Sequence, residues 1–372
     1  MFAYPEELDT WLKGRAVSTT NLTEEADDIL LVYKRQSLDL TAAARQMRDL
    51  LTENNLSTIA RIYRKALDLD PNNAEAYAGV ADALVVSALL GHARSGNVYA
   101  SAETAVRQAQ AIDSNSLETQ CAAAWLMMMT DANRPAARAQ FDSVLRRCPE
   151  FRFALIGRAL AAVVEGHLSE GSDYLRKACE QNTLGGVATA LLCWVKYLAC
   201  DFEEVLVLAA GARAGGYCGA LMAGIEALAS IQIAHPHESG RHLEICMTEF
   251  PGHPLLQGVL GYAHATANQP EEARRILFEL TTGNKYAGSD ISYPAALIML
   301  GLNEMKQAAS WLAKSCTEVS IWSLGLRHDP LFAVLNSDSL YEAQVRRIGI
   351  ASNGSFAEPD AVAWEETSDR ES

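Results

Sequence analysis

The chain has 372 residues, 49% hydrophobic and 21% charged, and its 31 Lys plus Arg against 46 Asp plus Glu give a formal net charge of −15. That composition excludes a disordered chain, while the length exceeds one ordinary globular core, so the core must be elongated or divided. The acidic balance disfavours a phosphate backbone as partner, and eight cysteines without a Cys-x-x-Cys pair suit a reducing cytoplasm better than a disulfide framework.

Pro5, Glu6, Glu7 and Asp9 stand where a signal peptide would need apolar residues, so no signal peptide is expected. A short amphipathic helix is predicted through Trp11 and Leu12, ending near Gly14. From Thr23 to about Leu51 helical spacing returns, with Ile29, Leu30, Val32 and Tyr33, an interruption at Ser37 to Leu40, then Ala44, Met47, Leu50 and Leu51. Asn54 and Asn55 end it. Residues 1–55 do not follow the spacing found later and are expected to form an N-terminal cap or an irregular first unit.

From Ile59 to Leu84 a pattern appears. Ala66-Leu67-Asp68-Leu69-Asp70-Pro71 closes one helix, and Asn72-Asn73-Ala74-Glu75-Ala76-Tyr77 opens the next before Ala81. In type and spacing these residues resemble a tetratricopeptide repeat. The next unit has a longer turn, His92 to Ala100, then Ala102, Val106 and Ala109 lead to Asp113-Ser114, and Ala137, Phe141, Val144 and Leu145 lead into Pro149.

From Pro149 the chain keeps a 34-residue interval through Thr183, Tyr217, Pro251 and Lys285. Ten residues after the first four anchors sit Ala159, Cys193, Ala227 and Gly261, all small. Gly171, Val205, Ser239 and Ala273, then Ala178, Ala212, Cys246 and Leu280, also keep step. Small residues at a fixed period mark the points where antiparallel helices cross closely, and such hairpins bury their apolar faces only by stacking. The expected fold is therefore all-α. The repeat resemblance implies a right-handed α-α superhelix of helical hairpins over residues 56–350. Acidic residues at Asp201-Phe202-Glu203-Glu204 and Gln269-Pro270-Glu271-Glu272 fit helix starts. After Lys285 the loop is read as lengthening through Gly288 to Pro294, followed by a last pair, Ala295 to Leu302 and Lys306 to Cys316.

Leu326-Arg327-His328-Asp329-Pro330-Leu331-Phe332, Leu335 and Arg346-Arg347-Ile348-Gly349 resemble the terminal motif of bacterial repeat regions that follow a winged-helix DNA-binding domain or a class III adenylate cyclase domain. Neither domain is present, so DNA binding and cyclisation are not carried over to this chain. What the resemblance implies is an interaction or sensory module in bacterial signalling or transcription control. Residues 351–372 are polar and acidic and read as a disordered tail, with Trp364 alone in it.

Chemistry is sparse. His235, His237 and His242, with His253 nearby, offer imidazoles suited to zinc or nickel, but no carboxylate or cysteine completes a ligand spacing, so no metal or cofactor is expected. There is no phosphate-binding Gly-x-x-x-x-Gly-Lys loop and no Gly-x-Ser-x-Gly elbow, so catalysis is the weaker reading. The most apolar window, Val187 to Ala199, is broken by Lys196 and is too short to span a bilayer. In the repeat family the first helix of each unit lines the concave side, which places Val187, Ala190, Trp194, Tyr197, Leu221, Leu228, Ile231, Leu255 and Tyr262 on it. A protein or peptide segment is the expected occupant of that apolar, aromatic wall. Its alternatives are packing within the superhelix or against the C-terminal segment, and, for function, a small-molecule receptor or enzyme pocket.

Overall fold

The computed structural model describes residues 29–346 except 49–51, 53–54, 94, 131–132, 181–185, 218, 234–242, 244–246, 284–289, 318–319, 336–338, 340 and 344–345. The opening amphipathic helix, the acidic tail with Trp364, His235, His237 and His242, and the anchors Thr183 and Lys285 lie outside the described residues.

Helices follow one another in antiparallel pairs, and no strand occurs among the described residues. Residues 29–48 form α1, followed by α2 (Leu56–Leu69), α3 (Ala74–Leu89), α4 (Ser95–Asp113), α5 (Leu117–Met129) and α6 (Arg134–Arg147). The regular stretch holds α7 (Arg152–Val164), α8 (Leu168–Glu180), α9 (Val187–Leu198), α10 (Phe202–Ala214) and α11 (Ala220–Gln232). Leu243 and residues 247–249 are helical in the next segment. Then come α12 (Pro254–Thr266), α13 (Pro270–Thr282), α14 (Ser292–Gly301) and α15 (Met305–Thr317), and a short α16 (Ile321–Gly325) runs into two 3-10 turns, Leu326–His328 and Phe332–Leu335. None of the described helices is long and apolar enough to cross a membrane.

The first helices of successive hairpins touch: α3 with α5, α5 with α7, α9 with α11, α11 with α12, and α12 with α14. These contacts line an inner wall in two runs, α3–α5–α7 and α9–α11–α12–α14. The small positions do what their period requires. Ala159, Cys193, Ala227 and Gly261 are all buried, and a Cβ on Gly171 would stand 3.2 Å from the Ala159 carbonyl oxygen where α8 crosses α7. The hairpin turns also repeat: Gly166, Cys200 and Asn268 take left-handed φ values of 87°, 59° and 61°. At each, the following amide bonds back to the helix just ended, His167 to Ala162, Asp201 to Lys196 and Gln269 to His264, closing free carbonyls as a helix C-cap does.

Two aromatic side chains lock neighbouring units. Tyr63 on α2 lies flat over Gly79 on α3, and Phe141 on α6 over Gly157 on α7; a Cβ at either glycine would fall 2.2 or 2.3 Å from the ring. Both rings are fully buried, eight residues before anchors Pro71 and Pro149. Phe141 also meets Trp125 edge-on at 5.7 Å, and Trp125 Nε1 donates to the Phe153 carbonyl at 3.1 Å.

Three boundaries differ from the sequence reading. Helix α1 is not interrupted at Ser37 to Leu40, because its hydroxyls are used in packing. Ser37 Oγ donates to the Ala66 carbonyl at 2.8 Å, and Asn73 Nδ2 donates to Ser37 Oγ and Thr41 Oγ1 at 2.9 and 3.0 Å. The turn read as His92 to Ala100 is shorter. Gly91, at φ 78°, ends α3 with the His92 amide on the Ser87 carbonyl, and polar Ser95 to Asn97 supply the first turn of α4, where amides need no intrahelical partner. Helix α14 starts at Ser292 rather than Ala295, since Pro294 sits in its first turn, where a missing N–H costs nothing.

Helix α1 is tied in by charge. Arg48 Nη1 reaches Asp82 Oδ2 at 2.8 Å, a separation of 34 residues, so at this contact α1 stands one repeat step ahead of α3. Both groups are buried, and the guanidinium lies over the Phe151 and Phe153 rings at 5.8 and 5.2 Å. Burial pushes the Asp82 carboxyl up to about 7 despite Arg48 beside it.

Two stability measurements check these contacts. In urea unfolding, Gly157→Ala is expected to cost ~1–3 kcal/mol by overpacking against Phe141, whereas Gly211→Ala, whose Cβ meets nothing within 4 Å, should gain ~0.5–1 kcal/mol. Arg48→Met should cost ~3–5 kcal/mol because it strands a buried carboxylate, and adding Asp82→Leu should recover much of that loss.

Candidate functional site

The inner wall at α7, α9, α12 and α14 is not empty. The chain's own C-terminal segment, α16 and the two turns after it, lies against it. Its local shape is set by short-range bonds. Ser320 and Ser323 form a capping box at the start of α16, and the Leu331 amide donates to Asp329 Oδ1 at 3.1 Å, turning the chain at Pro330. Leu326, Leu331, Phe332, Leu335 and Tyr341 are buried, and Tyr341 hydroxyl donates to the Leu326 carbonyl at 3.0 Å.

Wall and segment meet through aromatic and polar contacts. Gly325 lies so close to Trp194 that a Cβ there would come within 2.3 Å of the indole and 2.8 Å of Leu198 Cδ1. The Trp322 ring stacks on Tyr293 at 4.6 Å with an 18° interplanar angle, and Phe332 meets the same Tyr293 edge-on at 5.6 Å. Between these rings the Asp329 carboxyl accepts from the Tyr293 hydroxyl at 2.6 Å and from the Tyr197 hydroxyl at 3.3 Å. Burial raises the Asp329 carboxyl to about 6, and the bonds from Tyr293, Leu331 and Tyr197 hold it from rising further. Tyr197 and Tyr293 are both pushed well above the usual phenol range, first by burial and then by the Asp329 charge. They therefore stay protonated and act as donors.

Of the nine residues read as lining the wall, eight are buried and Ile231 is partly buried against the core. Trp194 and Tyr197 touch the C-terminal segment. Tyr262 lies beside Gly301, and its phenol is raised by burial and by the Asp329 charge. Leu255 points between hairpins, 2.7 Å from where a Gly224 Cβ would be. Val187, Ala190, Leu221 and Leu228 belong to the common core. Trp194 and Tyr197 thus pack on the C-terminal segment and the others within the stack, the alternatives that the sequence left open beside a free groove. The residues that make the seat and that spacing did not single out are Tyr293, Trp322, Asp329 and Phe332. Their signal was an Asp-Pro turn bracketed by aromatics after the last hairpin.

No group of three metal-ligating side chains occurs among the described residues. The described cysteines Cys121, Cys148, Cys179, Cys193, Cys200 and Cys316 are free thiols, and burial pushes Cys193 to about 12 and Cys121 well above its ordinary value, as suits packing rather than nucleophilic use. A cavity of about 360 Å³ opens elsewhere, lined by residues that include Ser57, Arg64, Ser87 and His92.

The fold defines the class. Solved structures similar to the chain include the Cut9–Hcn1 hetero-tetramer of the APC/C, with TM-score 0.52 at 14% identity over 83% of this chain and 55% of that chain. Human IFIT1, solved as a dimer with m7Gppp-AAAA, matches with TM-score 0.52 at 13% identity over 79% of this chain and 68% of its own. A tetratricopeptide repeat protein from Parabacteroides merdae matches at 15% identity over 71% of this chain and 99% of that one, with TM-score 0.45. The two matches at TM-score 0.52 agree with the stacked hairpins described above, and the chain has an all-α superhelical fold of tetratricopeptide-type repeats. No protein-family model and no curated protein sequence matches it.

The buried carboxyl has a measurable consequence. Its folded value, about 6, lies above its ordinary 3.8, so the folded state holds the proton more tightly and Asp329 favours folding more as pH falls from above 6 towards 4. Denaturant unfolding at pH 7.5 and 5.5 is expected to show a gain on acidification that is smaller in Asp329→Asn. An equal gain in both would assign it to other groups.

Proposed function

We propose that this chain is a protein-interaction scaffold whose inner wall holds an extended or helical segment of a polypeptide partner. The supporting observation is that the wall already holds such a segment, the chain's own residues 320–335, through aromatic stacking and hydroxyl-to-carboxyl bonds. Aromatic side chains that bury large areas at small entropic cost suit this task. The partner is a protein rather than a nucleic acid, because the net charge is −15. The resemblance to repeat regions of bacterial regulators and cyclases supports a role in signalling or transcription control in the cytoplasm, where free thiols persist. The scaffold needs no catalytic residues of its own. The cavity beside Arg64 and His92 is where the alternative, a small-molecule receptor or enzyme, would place its ligand.

Photocrosslinking in the source organism tests the reading on the full chain. Probes at Ile231 and Tyr262, on the wall helices, are expected to capture one and the same polypeptide, and a probe at the exposed Val207 on α10 should not. Capture at all three positions alike, or crosslinks only within the chain, would overturn it.

A further inference from the structure

We infer that residues 320–335 are a tethered ligand of the inner wall, and that the partner segment is one presenting a hydrogen-bond acceptor such as Asp between two aromatic side chains. This rests on the scaffold reading and names the chemistry of its partner.

Three observations carry it. First, the segment is not another hairpin. After helices packed in pairs, the chain changes to a five-residue helix and two 3-10 turns, and its backbone bonds close local turns: Leu324 to Ser320, Asp329 to Leu326 and Phe332 to Asp329. It is held to the wall by side chains, as a bound peptide is. Second, the recognising groups belong to the wall. Tyr293 alone offers a ring face to Trp322, a ring contact to Phe332 and a hydroxyl to Asp329, while Tyr197 gives the carboxyl a second donor. Third, the fit excludes bulk at one point: Gly325 seats against Trp194 with no room for a Cβ. The recognised pattern is an aromatic residue, Asp seven residues later followed by Pro, and a second aromatic three residues beyond the Asp, with glycine at the close approach. An apolar residue in place of the Asp would leave two buried hydroxyls without an acceptor, and the cost of leaving such donors unpaired makes the wall selective.

Hydrogen exchange on the intact chain is the first test. The amides of 324–332 are expected to exchange by a local opening while those of α7 and α9 stay protected. Exchange of the segment only by the same global event that exposes α7 and α9 would overturn the inference. In the second test a protease site replaces residues 318–319, and the cut full-length chain is offered a fluorescent peptide of residues 320–343. The cut chain is expected to take up the peptide and the uncut chain to exclude it. An Asp329→Leu peptide should bind about tenfold more weakly or worse. Equal affinity of the two peptides, no uptake by a cut chain that remains helical, or dimers of the uncut chain that exchange this segment would each overturn it. Should the cut chain unfold, the hydrogen-exchange result on the intact chain decides. Peptide exchange without capture of a partner at Ile231 and Tyr262 would sink the scaffold reading and leave the seat; capture without exchange would do the reverse.

Discussion

A pair of antiparallel helices about thirteen residues long has more apolar surface than it can hide against itself, and everything else in this molecule follows from how that surface is covered. Covering it by stacking demands that backbones approach closely at each crossing. The chain meets this demand with alanine, cysteine or glycine at one recurring position and with rings laid flat on glycines between units, as Tyr63 lies on Gly79 and Phe141 on Gly157. Where first helices touch their successors, an inner wall appears, and between α7 and α9 the C-terminal α16 packs on α7. That wall is apolar for the same reason the hairpins are.

Curvature creates a second covering problem, and the C-terminal segment answers it. Trp194, Tyr197 and Tyr293 would be a wide aromatic patch if the segment were elsewhere, and patches of that kind mark interaction sites. Filling the wall brings in a carboxyl that must be buried. Asp329 is tolerated because two phenol hydroxyls and one backbone amide donate to it, and the remaining cost shows as its upward shift to about 6. The Arg48–Asp82 pair solves the equivalent problem at the other end, where α1 joins the stack. Asp329 and Asp82 both lie where an end of the chain meets the regular hairpins, and buried charge within the hairpins is paired in the same way, Glu226 with Arg213 and Arg158 with Asp142 and Glu170.

Much of the fold was legible in one dimension. From Pro149 onward the 34-residue interval and the small positions recur, and acidic helix starts return at Glu170, Glu203-Glu204 and Glu271-Glu272, so each of these repeats testified to the others, and the turn at Gly166 predicts the one at Cys200. Legibility failed where repetition did. Ser37 to Leu40 looked like a break because a polar residue in a lone helix competes with its backbone, and only the tertiary partners Ala66 and Asn73 give the Ser37 hydroxyl another use. Ser95 to Asn97 looked like loop for the same compositional reason.

The candidate site divides along the same line. The repeat interval, read through the tetratricopeptide resemblance, put Trp194, Tyr197 and Tyr262 on the first helices of their units, since that depends only on position within a repeat. What lies over them was decided by tertiary structure. Asp329 is 132 residues from Tyr197 and 36 from Tyr293, and no local rule connects residues so far apart. Periodicity fixes directions within a unit, whereas the closing of a curved stack around its own end depends on the summed geometry of all the units between.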